Sequence, residues 1–210
     1  MIKTTKTART APTHPAAAAL GQRLSDIREA LCFTRPKLDS KLGVPATSIK
    51  NWELGYRECP MAMAAALLEF VKPELQPQYL RWFLGDIRLT PQAEDFVPMH
   101  ALNPYTSGFD ALKKRAADGI KVLRVAAEYS RPRWAELLDL ESSVNVKNYE
   151  LGYRTTTFEL LCRVFECAER SDHAVLWIRY ILLGKSTSSA PAELLAEQLK
   201  YQKLKTAQAA

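Results

Sequence analysis

The chain has 210 residues, 47% of them hydrophobic, with four cysteines, a formal net charge of +6 and a pI near 9.1. At roughly 150 residues per domain, this length predicts one or two domains. No apolar run is long enough for a membrane span or a signal sequence, the cysteines follow no metal-binding spacing, and no phosphate loop or base-paired nucleophile is apparent. These features predict a cytoplasmic protein that is not an enzyme and has no cofactor.

The N-terminal part of the chain predicts an arm followed by one small helical domain. Residues 1–18 are polar, basic and interrupted by prolines, which is typical of a flexible arm. Apolar residues recur at helical spacing from Leu20 to Leu31 and predict a first helix. Four more helical segments follow, so we expect residues 19–85 to form a domain of five helices without strands.

Two short helices in this domain are bounded by strong local signals. Thr34 offers an N-cap oxygen, and Pro36 lies in the first turn of a second helix, where its missing amide hydrogen costs nothing. Gly43 fits the turn after that helix, because glycine adopts positive φ freely. A third helix is predicted to begin near Ala46 and to end at Gly55.

The same order of signals returns in the second half of the chain. The segment Asn-Trp-Glu-Leu-Gly-Tyr-Arg at 51–57 reappears 97 positions later as Asn-Tyr-Glu-Leu-Gly-Tyr-Arg at 148–154. Upstream, the block at 34–38 reappears 96 positions later at 130–134, so the second copy carries one extra residue between the two blocks. Self-similarity of this kind predicts a second five-helix domain over residues 109–184, with its third helix beginning near Ser143.

Two segments lie outside the predicted domains. Residues 86–108 contain three prolines and little periodicity, which is typical of a linker. Residues 185–210 begin with a polar hinge and continue with leucines partly on one side of a helix, predicted from Pro191 to Leu204. The sequence leaves open whether this tail is a packing or dimerisation helix or is solvated.

One set of apolar, capping and turn residues in the first copy carries a family resemblance. The set is Leu24, Ile27 and Arg28, then Thr34, Arg35 and Leu38, then Leu42, Gly43 and Val44, and finally Ile49, Lys50, Asn51, Trp52, Glu53 and Gly55. This pattern resembles the Xre/Cro phage-repressor family of helix-turn-helix DNA-binding domains, and the second copy is similar over the same length. The resemblance implies an all-α prokaryotic or phage protein with two tandem, five-helix, lambda-repressor-like domains joined by a linker.

The resemblance also assigns the outer face of each third helix to DNA. Residues that match base-reading positions are Ala46, Thr47, Ser48 and Asn51 in the first copy and Ser143, Val144, Asn145 and Asn148 in the second. Residues that match positions near the phosphate backbone are Arg35, Lys50, Arg57, Arg131, Lys147 and Arg154. Asparagine pairs bidentately with adenine, whereas lysine and arginine contacts to phosphate supply affinity without reading sequence.

The two copies depart from the family pattern at different places. The first has Asp39 where the family prefers a small residue, while the second keeps Ala135 there. The second copy holds its extra residue just before the third helix, together with Glu141, whose charge would lie near phosphates. Glu53 and Glu150 are not expected on DNA, because a carboxylate would be repelled there. We expect each of them to make a structural hydrogen bond or to pair with an arginine inside its domain.

These patterns predict a sequence-specific regulator of transcription that binds double-stranded DNA and is associated with the nucleoid when bound. The third helix of each domain would read one of two non-identical half-sites. The family's habit of dimerising adds a homodimer as an option. The alternative is a protein-interaction module, such as an antitoxin or an adaptor for RNA polymerase, in which the second domain contacts a protein. Glu141 and the low charge of the second domain favour this alternative for that copy alone.

Overall fold

The computed structural model describes residues 14–98, 109–184 and 191–208, and across these ranges the protein is helical with no strand. The helices of the first half are α1 (Pro15–Ala18), α2 (Leu20–Ala30), α3 (Arg35–Lys41), α4 (Ser48–Glu53), α5 (Met61–Phe70) and α6 (Gln76–Phe83). Those of the second half are α7 (Phe109–Ala126), α8 (Arg131–Leu137), α9 (Ser143–Glu150), α10 (Phe158–Cys167), α11 (Asp172–Leu183) and α12 (Pro191–Gln208). The prediction of an all-α fold is confirmed.

Helices α2 to α6 of the first copy correspond in order to α7 to α11 of the second, and their local signals act as predicted. The Thr34 hydroxyl accepts a hydrogen bond from the Lys37 amide at 3.4 Å, and the Ser130 hydroxyl accepts one from the Arg133 amide at 3.4 Å. The turns after the second helices contain Gly43 at φ 58° and Asp139 at φ 49°.

The third helix of the first copy begins later than its sequence predicts. Ala46 and Thr47 lie in a turn, with Thr47 at φ 70°, and α4 starts at Ser48. The second copy behaves as predicted, since α9 starts at Ser143. In the second copy, α9 includes Ser143 and Val144, whose counterparts Ala46 and Thr47 lie in the turn of the first copy. Despite the extra residue, the connection before α9 is therefore residues 138–142, one residue shorter than residues 42–47 before α4.

The segment predicted as a flexible arm is ordered where the structure describes it. Pro15–Ala18 form the short helix α1, and Ala16 and Ala17 are buried against α10 of the second copy. The prediction of a flexible arm is therefore wrong for these residues, because small alanine side chains fit closely between the two copies. Residues 1–13 lie outside the described part.

The predicted linker packs on the first copy over the stretch that the structure describes. A 3₁₀ turn at Ala93–Asp95 precedes the buried Phe96, and the Asp95 carboxylate accepts a hydrogen bond from the Tyr79 hydroxyl at 2.6 Å. The amide of Val97 donates to the carbonyl of Phe70 at 2.7 Å. These contacts continue the first copy to Val97. Residues 99–108 and 185–190 lie outside the described part.

The terminal helix α12 packs rather than projecting into solvent. It lies against α7 and α11, and Leu195 and Leu199 are almost fully buried. The side chain of Gln198 donates to the carbonyl of Ala168 at 2.9 Å, and the hydroxyl of Tyr129 donates to the carbonyl of Leu199 at 3.3 Å. Of the alternatives that the sequence left open, packing within the chain is the one observed.

Candidate nucleic-acid interface

Glu53, the last residue of α4, lies at the centre of a hydrogen-bond cluster that joins α2, α3 and α4. Its side chain is only 1% exposed. One carboxylate oxygen accepts from Nε of Arg28 on α2 at 2.6 Å, and the other from Nε of Arg35 on α3 at 2.5 Å. Arg28 also donates to the carbonyl of Phe33 at 3.0 Å. We call this cluster of one glutamate and two arginines the arginine–glutamate lock.

The second copy contains the same lock, built from Glu150, Arg124 and Arg131. The Glu150 side chain is fully buried; Nε of Arg124 donates to one of its oxygens, and Nε of Arg131 donates to the other at 2.8 Å. Arg124 also donates to the carbonyl of Tyr129 at 2.7 Å. Burial alone would raise the pKa of Glu150, but the hydrogen bonds and charges of the two arginines outweigh it and hold the pKa below 4.5.

The sequence leaves open a structural hydrogen bond or an arginine pairing for both glutamates, and the structure shows the arginine pairing. They also give Arg35 and Arg131 a structural role that the sequence analysis missed, because each guanidinium fixes the end of a third helix. The side chains of Arg35 and Arg131 remain 40% and 41% exposed, so each keeps a solvent-facing edge. Their assignment to phosphate stays a prediction.

The outer face of the first copy's third helix is small and polar. Lys50 is exposed, and Ser48 and Asn51 are half-buried along the same helix. Ala46 and Thr47 are exposed too, but they precede α4 rather than lying on it. Their assignment to the third helix is therefore corrected, and they flank its N-terminus instead.

A buried carboxylate holds that N-terminus in place. Asp39 of α3 is 6% exposed, and its two oxygens accept from the amides of Thr47 at 3.1 Å and Ile49 at 3.0 Å. Because the first amides of a helix have no partner within the helix, Asp39 acts as a cap supplied by a neighbouring helix. Asp39, which stands where the second copy has Ala135, therefore has a structural role in the first copy.

The second copy's third helix presents a different leading edge. Val144 is 59% exposed in its first turn, next to the half-buried Ser143. The Asn145 side chain accepts a hydrogen bond from Arg154 at 3.1 Å. Further along, Lys147 is exposed and Asn148 is half-buried, as Lys50 and Asn51 are in the first copy.

The turn that follows each third helix has the same geometry in both copies. Gly55 and Gly152 adopt φ of 69° and 70°, which favours glycine. The amide of Arg57 then donates to the carbonyl of Asn51 at 3.2 Å, and that of Arg154 to the carbonyl of Asn148 at 3.1 Å. Each exposed arginine is therefore held at a fixed place relative to its asparagine.

The same turn carries an exposed tyrosine that the sequence analysis did not assign to the site. Tyr56 is 72% exposed and Tyr153 is 77% exposed, more than any other large hydrophobic side chain in the described part of the chain. The available signal was the identity of the Leu-Gly-Tyr-Arg segment in both copies. A tyrosine kept at an exposed position in both copies adds a hydroxyl and an aromatic ring beside Arg57 and Arg154.

The turns of the two copies lie next to each other. Glu58 and Pro60 follow α4, the third helix of the first copy. They line a common pocket with residues 155–158, which follow α9, the third helix of the second copy. Partial desolvation, and then the charge of Glu159 from the second copy, raise the pKa of Glu58. The segments that follow the two third helices therefore lie side by side.

The described residues contain neither a metal site nor a membrane-spanning helix. Among the described residues, no group of three or more His, Cys, Asp or Glu side chains could hold a metal ion. None of the helices described is both long and apolar enough to cross a membrane. Comparison of the chain with protein-family models, with curated proteins and with solved structures found no match.

Proposed function

We propose that the protein is a sequence-specific regulator of transcription that binds double-stranded DNA through α4 and α9. The observation that carries this proposal is the repetition of one surface in both copies. Each third helix has an outward Lys-Asn pair, Lys50-Asn51 or Lys147-Asn148, and is followed by an exposed Tyr-Arg turn. A short helix with such a face fits a major groove about 12 Å wide.

In this proposal each copy is a helix-turn-helix domain of five helices. Its support is the close packing of α3 on α4 and of α8 on α9. Leu38, Leu42 and Ile49 are fully buried between the second and third helices of the first copy. The arginine–glutamate lock then ties α4 to α2 in the first copy and α9 to α7 in the second. In this proposal, the face that reads DNA is therefore presented by a rigid support.

The polar side chains fall into two roles. Asn51 and Asn148 are the base readers that both copies share, because an asparagine amide matches the major-groove edge of adenine. Lys50, Lys147, Arg57 and Arg154 contact phosphates and give salt-dependent affinity. Since the leading residues are Ala46-Thr47 in one copy and Ser143-Val144 in the other, the two half-sites differ in sequence.

A second candidate function concerns the second copy alone. Val144 is an exposed apolar side chain on the face of α9, and Glu141 is exposed just before it. An apolar and acidic leading edge suits a protein partner better than a phosphate backbone. In this alternative the first copy binds DNA, and the second contacts another protein such as RNA polymerase.

The direct test is an unbiased selection of bound duplex DNA from a random library with the full chain. The full chain is required because the two copies share one core. We expect enrichment of a site with two unlike half-sites. Absence of any enriched sequence contradicts the proposal, and enrichment of a single half-site favours the protein-partner alternative for the second copy.

A charge-matched pair of variants shows whether the third helices are the binding surface. Lys50→Ala with Lys147→Ala removes two charges from the proposed face, while Lys114→Ala with Lys121→Ala removes two exposed charges from α7. We expect the first pair to weaken DNA binding and to reduce its salt dependence by about two ions, and the second to change both far less. Equal losses would place the DNA elsewhere on the molecule.

A further inference from the structure

We infer that the two copies form one rigid reading unit, which binds two half-sites at a single fixed spacing. This inference rests on the proposed DNA-binding function and adds to it a constraint on the partner. A flexible tether between two domains would tolerate many spacings, whereas a shared core permits one.

The apolar part of the junction is a helix buried all round. Every residue of α5 except Glu69 is buried. A helix without a polar face must be covered on all sides. The first copy alone does not provide this cover, because α11 of the second copy packs on both α5 and α6. The copies therefore complete each other's core.

A buried amide pins the same junction. Gln76, at the start of α6, is 5% exposed; its nitrogen donates to the carbonyls of Leu68 at 3.0 Å and Val71 at 3.3 Å. Its oxygen accepts from Arg179 of α11 at 2.8 and 3.2 Å. Among the described residues, both hydrogen bonds to this oxygen come from Arg179 of the other copy. Sliding one copy past the other would therefore leave a buried acceptor without its partner.

Two further contacts close the edges of the junction. Arg81 of α6 donates to the carboxylate of Asp172 at 2.5 Å and to the carbonyl of Arg170 at 3.2 Å. Near the N-terminus, α1 packs on α10 of the second copy, and the amide of His14 donates to the Glu159 carboxylate at 3.2 Å. Apolar, buried polar and peripheral contacts thus fix the relative orientation of the copies.

The orientation that they fix suits a single DNA duplex. The segments that follow the two third helices line one pocket. In the proposed unit, both third helices therefore face the same side of the DNA. One base pair rotates the DNA by about 34° and advances it by about 3.4 Å. A rigid pair of helices can follow both half-sites only at one separation.

The test is an affinity series with the intact wild-type protein and the selected site. The spacer between the half-sites is changed by one, five and ten base pairs in either direction, and each half-site is also measured alone. We expect a loss of about tenfold for one base pair and a fall to the affinity of the better single half-site for five. We expect no recovery at ten, because a full turn restores the face of the duplex but not the distance.

The outcomes separate the inference from the proposed function. Recovery of affinity at ten base pairs, or equal affinity at neighbouring spacings, overturns the rigid unit and leaves DNA binding intact. Specific binding to one half-site only also overturns it. Absence of specific binding at every spacing overturns the proposed function itself.

A pair of arginine variants, one at Arg179 on α11 and one at Arg115 on α7, tests the junction directly. Arg179→Ala removes the partner of Gln76 in the other copy, whereas Arg115→Ala removes contacts to the carbonyls of Ile181 and Leu182 within the second copy. We expect Arg179→Ala to reduce the one-base-pair penalty to less than threefold and Arg115→Ala to retain it. A profile for Arg179→Ala as sharp as that of the wild type contradicts the pinning role given to Gln76, and if that variant does not fold, the wild-type series still decides.

Discussion

The two copies hold the end of the third helix in the same way and its beginning in different ways. At the end, Glu53 and Glu150 occupy matching locks with two arginines each. At the beginning, the first copy caps α4 with the buried Asp39. The second copy has Ala135 at that place, and its N-cap residue Ser142 makes no side-chain capping bond.

The difference at the beginning involves two linked changes. The second copy lacks the capping carboxylate and carries one extra residue between its repeated blocks, and α9 is 8 residues long while α4 has 6. Because the lock holds the other end, these changes alter the leading residues without moving the support. The leading residues of the third helix therefore differ between the copies, while the support at its other end is the same.

We expect the largest loss of folding stability when the arginine–glutamate lock is removed from either copy. Glu53→Ala and Glu150→Ala each leave two arginines without their carboxylate, and breaking a buried ion pair costs about 3 to 5 kcal/mol. Since Arg35 and Arg131 are partly exposed, we expect about 3 kcal/mol for each variant, measured by denaturant unfolding of the full chain. The control is Glu136→Ala, whose pair with Arg133 is exposed and contributes under about 1 kcal/mol. A large loss in only one copy contradicts the equivalence of the locks.

The acid dependence of the second lock has a definite sign. Because the pKa of Glu150 is held below 4.5 in the folded protein, its contribution is present above that pH and is lost as the pH falls through the folded pKa. We expect the stability difference between the wild type and Glu150→Gln to be constant near neutral pH and to shrink below pH 4.5. Unfolding measured at several pH values checks this. A difference that is unchanged at pH about 3 contradicts it.

The next effect concerns the two shared asparagines. Asn51→Ala and Asn148→Ala should each reduce discrimination at one base pair by about 1 to 3 kcal/mol while leaving binding to random DNA unchanged. Competition assays with single-base variants of the selected site measure this. Gln22→Ala, which removes an exposed amide from α2, serves as the control. If only Asn51→Ala has an effect, the second copy is assigned to a protein partner.

The cap that distinguishes the copies should have a smaller effect on stability. Asp39→Ala removes the acceptor of the Thr47 and Ile49 amides, and caps of this kind contribute about 1 to 2 kcal/mol. We expect a loss in that range, compared with under about 0.5 kcal/mol for Asp118→Ala at an exposed position on α7. A loss as small as the control's would mean that α4 does not depend on this cap.

Much of each copy could be predicted because its signals are local. Thr34, Gly43 and Gly55 each act on the few residues next to them, and their helix ends were predicted correctly. The start of α4 was not, because it depends on Asp39, which lies eight residues before the amide of Thr47 and on another helix. Local patterns do not report such contacts.

The junction between the copies was also beyond sequence reasoning. The run of apolar residues in α5 indicates burial but does not identify the surface that covers it. Gln76 and Arg179 are 103 positions apart and carry no motif that would link them. The same holds for α1, whose alanines resembled a flexible arm until the second copy supplied a surface to pack on.

We expect the smallest change in folding stability from the N-caps of α3 and α8, and this change tests most strictly whether the two copies are equivalent. Thr34 and Ser130 cap α3 and α8 through hydrogen bonds of equal length, 3.4 Å, at exposed positions. Removal of an N-cap side chain costs about 0.5 to 2 kcal/mol, and these long bonds place both Thr34→Ala and Ser130→Ala near the lower limit. Ser40→Ala, at an exposed site within α3, should be neutral or slightly stabilising, because alanine favours helix. Each of these cap residues lies directly before an arginine of the lock. If the loss of stability were clearly larger in one copy, the two copies would differ in stability at their second helices, α3 and α8, rather than at their third.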